Sequence, residues 1–127
     1  MTAPTDDQLI AAAKSYVDAL VSHDPSGVPF HPDCVRIEMG LKTGRNGNHL
    51  RRGLARGPQF RLIHTIGDFT ATVTDGVVHS TFYVHVHPKP LRLSALVTES
   101  IEFDETGRIL KIVARFGIPR RHQTRGT

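Results

Sequence analysis

The spacing of hydrophobic and polar residues changes partway along the chain. Leu9, Ala13, Tyr16, Val17 and Leu20 recur at helical spacing and fall on one face. Thr5-Asp6-Asp7-Gln8 precedes them as a capping-box pattern, with two acids in the first turn to suit the helix dipole. Asp24-Pro25 stops the run, because a residue before proline avoids helical backbone. The pattern predicts a helix over residues 6–22. A turn-rich stretch, DPSGVPFHPD, leads into a strand at CVRIEMG. Val35, Ile37 and Met39 share one side of that strand; Cys34, Arg36 and Glu38 share the other. LKTGRNGN reads as a loop, since Gly44 and Gly47 interrupt it. NHLRRGLAR reads as a short helix capped by Asn48 and stopped at Gly57-Pro58. Gly53 in its middle costs it about 1 kcal/mol.

From residue 60 onward the period is two. FRLIHTIGDFTATVT, VVHSTFYVHVH, LRLSALVTESIEF and RILKIVARFG read as strands. Asp75-Gly76, Pro88-Lys89-Pro90 and Asp104-Glu105-Thr106-Gly107 separate them, which predicts successive antiparallel hairpins. A helix followed by such a run is an α+β layout. A curved antiparallel sheet wrapped around the N-terminal helix can enclose a pocket. The apolar positions Phe82, Val84, Val86, Val97 and Ile101 are the candidate ligand-binding wall.

The 127 residues suit a single domain over 1–127, with a flexible basic tail expected at 118–127. No apolar run approaches the length of a membrane helix, and MTAPTDDQL is too polar for a signal peptide. A lone cysteine, Cys34, excludes an internal disulfide and suits a reducing, cytoplasmic setting. Sixteen Lys and Arg against twelve Asp and Glu give a net charge of +4. The excess gathers in GRNGNHLRRGLARGPQFR and PRRHQTRGT without stacking aromatics or a binding motif, which argues against nucleic acid as the partner.

Three residues carry candidate chemistry. Ala95, Val97, Glu99, Ile101 and Phe103 share one strand face, so Glu99 interrupts an apolar row. A carboxyl buried there has its pKa raised and can stay neutral as a hydrogen-bond donor; on an outer face it would be an ordinary charge. Tyr16, on the helix's apolar face, needs a partner for its hydroxyl if buried. Glu38 ends a strand beside a glycine loop, where a carboxylate can serve as a base at a pocket mouth. His79, Tyr83, His85 and His87 fall opposite the apolar face of their strand, which suits a dimer interface or solvent better than a metal site. No cofactor motif is present.

These stretches resemble the nuclear-transport-factor-2-like superfamily, a cone fold, and within it the bacterial ketosteroid isomerases. SYVDALVSHD keeps the isomerases' tyrosine eight residues before an aspartate, at Tyr16 and Asp24. HPDCVRIEMG keeps a carboxylate five residues after an aspartate, at Asp33 and Glu38. TESIEFDETGRILKIVARFG resembles their closing hairpin, with Glu99 four residues before Phe103. The resemblance implies Tyr16 and neutral Glu99 as oxyanion donors, Glu38 as the base, and no cofactor. It implies a homodimer and a small hydrophobic carbonyl substrate. The isomerases carry aspartates where this chain has Glu38 and Glu99, and each added methylene displaces a carboxyl. CVRIEMGLKTGRNGNHLRRG is also similar to an uncharacterised branch of the superfamily. Two other expectations stay open. One is an epoxide hydrolase or dehydratase-like lyase, with Arg36 orienting water if it faces inward with Glu38. The other is a non-catalytic, ligand-binding dimer.

Overall fold

The computed structural model describes residues 3–121. Helix α1 spans Asp6–Ser22, as the periodicity predicts, and its capping box is complete. Thr5 Oγ1 accepts from the Gln8 amide at 3.2 Å, and Gln8 Oε1 accepts from the Thr5 amide at 2.8 Å. The expected face is buried, joined by Ala19. Each large apolar side chain buried there contributes roughly 1.5–3 kcal/mol.

A 3-10 turn at Pro25–Gly27 leads into β1 (Phe30–Glu38) and β2 (Leu41–Gly44). Helices α2 (Gly47–Arg56) and α3 (Pro58–Arg61) follow. The remaining strands are β3 (Ile63–Thr74), β4 (Val77–Val86), β5 (Leu93–Phe103), β6 (Ile109–Phe116) and β7 (Arg120–Arg121). The sheet runs β2-β1-β6-β5-β4-β3, with β7 added on β5. From β3 to β6 the strands form the expected antiparallel ladder. Asp75 and Gly76 both take positive φ, which the tight β3–β4 turn requires. Register breaks near Ile63–Thr65 and Gly67–Thr70 bend β3, and the sheet packs over α1 through β3 and β4. The class is α+β.

Four features depart from the sequence reading. First, β1 runs parallel to β6, from Phe30 beside Ile109 to Glu38 beside Ala114, so the sheet is mixed. Adjacent turn signals do not encode that long-range pairing. Second, the glycine-broken loop contains β2. Gly44 is tolerated in this strand because a Cβ there would lie 2.9 Å from the Arg36 Cβ and strike the Leu50 side chain. Third, α2 is capped by Asn46, whose side chain accepts from the His49 amide at 2.9 Å, and not by Asn48. Fourth, the segment expected to be a flexible tail begins with ordered β7, which pairs with Leu93 and Ser94. The rest of that tail, 122–127, lies outside the described residues.

The core joins α1, Leu50 and Leu54 of α2, Phe60 of α3, and the inward rows of β4, β5 and β6. Among the described residues, no helix is long and apolar enough to cross a membrane.

Candidate functional site

One row of the sheet departs from the apolar pattern. Glu99 on β5 stands opposite Ser80 of β4 on one side and Ala114 of β6 on the other. Ala114 in turn pairs with Glu38 of β1. Ser80, Glu99, Ala114 and Glu38 therefore form one row across four strands. Glu38 and Glu99 are two strand spacings apart, about 10 Å along the backbone. Ala114 is the small residue between them.

Arg36 enters that gap. Residues two apart on a strand share a face, so Arg36 and Glu38 both point inward. Arg36 donates to Glu38 Oε2 and, at 3.1 Å, to Thr43 Oγ1. The irregular register between β1 and β2 at Arg36/Ile37 is what brings Thr43 to it. Its Nε donates to the Tyr16 hydroxyl at 2.9 Å, and its guanidinium lies 5.5 Å from the Phe60 ring centroid. Burial opposes the charge of Arg36. Tyr16, Glu99 and Glu38 together outweigh it, so Arg36 stays protonated.

Glu99 is 2% exposed, and neither of its carboxyl oxygens has a protein partner among the described residues. Burial pushes its carboxyl up from the ordinary 4.5 to about 7; Arg36 pulls it down and Glu38 pushes it up. The inward, partly neutral acid is thus present. Glu38 is 21% exposed at its side chain and holds the guanidinium of Arg36. The two carboxyls differ in environment: Glu99 is buried without a partner among the described residues, and Glu38 is partly exposed and ion-paired.

A cavity of about 370 Å³ opens over this row. Arg36, Glu38 and Glu99 line one part of it, and apolar residues of α1, α3, β3, β4, β5 and β6, with Leu62 and the Gly117–Pro119 segment, form the rest. Phe82, Val84, Val86 and Val97 line it as expected. Ile101 is fully buried in the core and is not part of the wall. Tyr16 is also fully buried and does not line the cavity. Burial raises its phenol pKa more than Arg36 lowers it, and its hydroxyl serves as an acceptor for Arg36. Three sequence candidates are therefore brought to one locus, but only Glu38 and Glu99 reach the cavity.

The sequence reading passed over Ser80, whose buried hydroxyl has no partner among the described residues. The signal was available: Ser80 falls in the same alternation as Val78, Phe82 and Val84. His79 and Tyr83 face outward as expected. His64, His85 and His87 cluster, with ring centroids 4.9 Å apart for His64 and His87. Among the described residues, no group of three or more His, Cys, Asp or Glu could hold a metal ion. Cys34 is buried, which pushes its thiol up to about 12 and makes it a poor nucleophile.

The sequence model of a family described as "Domain of unknown function (DUF8021)" matches residues 2–116. The chain belongs to this DUF8021 family. No curated protein matches the DUF8021 chain. Its backbone is similar to that of several solved structures. An LEH-like epoxide hydrolase from M. tuberculosis is 21% identical, with a TM-score of 0.68, covering 90% of this chain and 86% of that one. A SnoaL-like family protein from Agrobacterium tumefaciens is 12% identical, with a TM-score of 0.68 and coverage of 88% and 99%. A de novo designed protein with a curved β-sheet is 11% identical, with a TM-score of 0.73 and coverage of 90% and 88%. Identities this low establish the fold alone. The α+β cone fold expected from the sequence is thus the fold of this DUF8021 chain.

Proposed function

We propose that the cavity is an acid–base active site that adds water to a small apolar epoxide. The observation that carries this reading is the inward Arg36, bound to Glu38 across the row from buried, unpartnered Glu99. Glu38 takes a proton from water, and the water oxygen bonds to one epoxide carbon. The carbon–oxygen bond breaks, and the departing oxygen takes the proton of neutral Glu99. The product is a diol; the proton on Glu38 then returns Glu99 to its acid form through solvent. Arg36 holds Glu38 oriented throughout. An LEH-like epoxide hydrolase among the similar folds supports the reading.

A second reading is ketosteroid-isomerase-like proton transfer, favoured by the local likenesses at Tyr16, Glu38 and Glu99. It asks the oxyanion to be held by Glu99 alone, because the Tyr16 hydroxyl is engaged by Arg36 outside the cavity wall. That difference places it second.

Incubating the purified protein with styrene oxide, and separately with a β,γ-unsaturated ketosteroid, tests both. Diol formation that falls at least about a hundredfold in Glu38→Gln and in Glu99→Gln supports the first reading. Enone formation with the same dependence selects the second. Turnover of neither substrate leaves a ligand-binding module without catalysis. The expected homodimer belongs to the same proposal. Tyr83 and Leu96 are cross-strand neighbours on the outer face and are 36% and 44% exposed. Sedimentation equilibrium gives the assembly state.

A further inference from the structure

The cavity's mouth is built from three segments that lie far apart in sequence. Its exposed lining residues are Leu62, Phe116, Gly117 and Pro119. Leu62 is tied to the end of β4 by the His87 amide, which donates to the Leu62 carbonyl at 2.8 Å. Gly117 is tied to β5 by its amide, which donates to Leu96 at 2.9 Å. β7 then continues that edge, with Arg120 beside Ser94 and Arg121 beside Leu93.

The charge on these segments is one-sided. Residues 57–67, 86–98 and 113–121 contain Arg61, Lys89, Arg92, Arg115, Arg120 and Arg121 but no aspartate or glutamate. Arg115 belongs to the outer face, where it lines a separate groove. Of the other five, Arg61 lies between the lining residues Phe60 and Leu62, and Arg121 pairs with Leu93 on the cavity-facing row of β5, whereas Arg120 pairs with Ser94 on the outer row; Lys89 and Arg92 lie on the β4–β5 connection. All five are exposed. The guanidinium groups of Arg61, Arg120 and Arg121 have no hydrogen-bond or ion-pair partner among the described residues. The protein's net charge is only +4, yet these segments carry six cations and no acid. Beside them stand exposed apolar side chains, Leu62 at 53% and Ile118 at 80%.

An apolar chamber with a cationic, partly apolar rim suits one class of molecule. We propose that the cavity takes an amphipathic anion, its apolar chain inside and its carboxylate, phosphate or sulfate held at the rim by Arg61 and Arg121. This rests on reading the cavity as the ligand site, and it narrows the substrate to a chain epoxide with an anionic end. The acidic group stays at the rim, where water and the exposed cations solvate it, while the apolar wall takes the chain. Attraction at the mouth also speeds encounter and weakens with salt.

Calorimetric titration with monomeric decanoate and with 1-decanol tests the proposal on the full chain, with no need for turnover. Decanoate binds more tightly than decanol, and Arg61→Gln with Arg121→Gln weakens decanoate about tenfold while leaving decanol unchanged. Lys14→Gln, on the far helix, alters neither. Equal binding of the two probes, or insensitivity of decanoate to the double variant, overturns the anionic class while leaving the cavity reading intact. If neither probe binds, the cavity reading falls as well. A parallel arm uses vesicles of phosphatidylglycerol and of phosphatidylcholine. Binding to the anionic vesicles without binding of monomeric decanoate overturns a soluble ligand in favour of a lipid headgroup in a bilayer.

Discussion

Replacing Glu99 with glutamine removes one ionisable group from the fold without changing its shape, and the consequence for stability can be worked out. The carboxyl is fully buried and its pKa stands near 7 instead of 4.5. Below pH 4.5 it is protonated in both folded and unfolded chains. Between 4.5 and about 7 the unfolded chain ionises it and the folded chain does not, so stability falls as pH rises. Above 7 the loss is complete. At about 1.4 kcal/mol per pH unit, the displacement corresponds to about 3 kcal/mol. Glutamine lacks this dependence. Urea unfolding of both proteins at pH 4.5, 6 and 8 gives the difference directly. The wild type loses about 3 kcal/mol relative to Glu99→Gln across that range. His64, whose pKa burial and its neighbours His87, Lys89 and His85 lower, acts with the opposite sign, since its contribution is lost as pH falls. It is common to both proteins and cancels. Parallel pH profiles for the two would refute the buried neutral acid, and with it the acid–base proposal.

Three further perturbations probe the same row. Arg36→Met removes the donor to both Tyr16 and Glu38, costing about 2–4 kcal/mol in urea unfolding. It also raises the Glu99 pKa beyond about 7, read from its carboxyl carbon by NMR, because Arg36 is what draws it down. Ser80→Ala removes a buried hydroxyl that has no partner, so stability changes by less than about 1 kcal/mol or improves; a larger loss would show that the hydroxyl is bonded. Gly44→Ala drives a methyl against Leu50 and Arg36 and costs about 1–3 kcal/mol, whereas Gly27→Ala, with open space around it, is nearly neutral.

Local patterns were legible where one turn or one period decides the outcome. The Thr5–Gln8 capping box placed the start of α1, and strict alternation placed Glu99 on one face with Ala95, Val97 and Ile101. Alternation says which residues share a face, but not which face is covered. On β1 the more apolar side, Val35 and Ile37, is only half-buried, while Cys34 and Arg36 are buried beneath α2 and α3. Arg36 could therefore be grouped with Glu38 but not placed. Gly44 looked like a loop residue because glycine usually weakens strands; here close packing against Leu50 demands it. Tyr16 was expected to aim at a ligand, yet it anchors Arg36. The parallel β1–β6 pairing rests on contacts between residues some eighty positions apart, and no local signal carries that.

That pairing bears on the order in which the chain acquires its site. The hairpins from β3 to β6 close short loops and can form early, bringing Ser80 and Glu99 together. Glu38 joins their row only when β1 docks along β6, which must wait until Ala114 has been made. A chain that closes these hairpins before β1 docks buries Glu99 before Arg36 arrives to temper its burial. A proton on Glu99 resolves this at once, whereas a carboxylate would resist the collapse. Refolding should accordingly be faster in mildly acidic solution than above neutrality, with Glu99→Gln abolishing the difference.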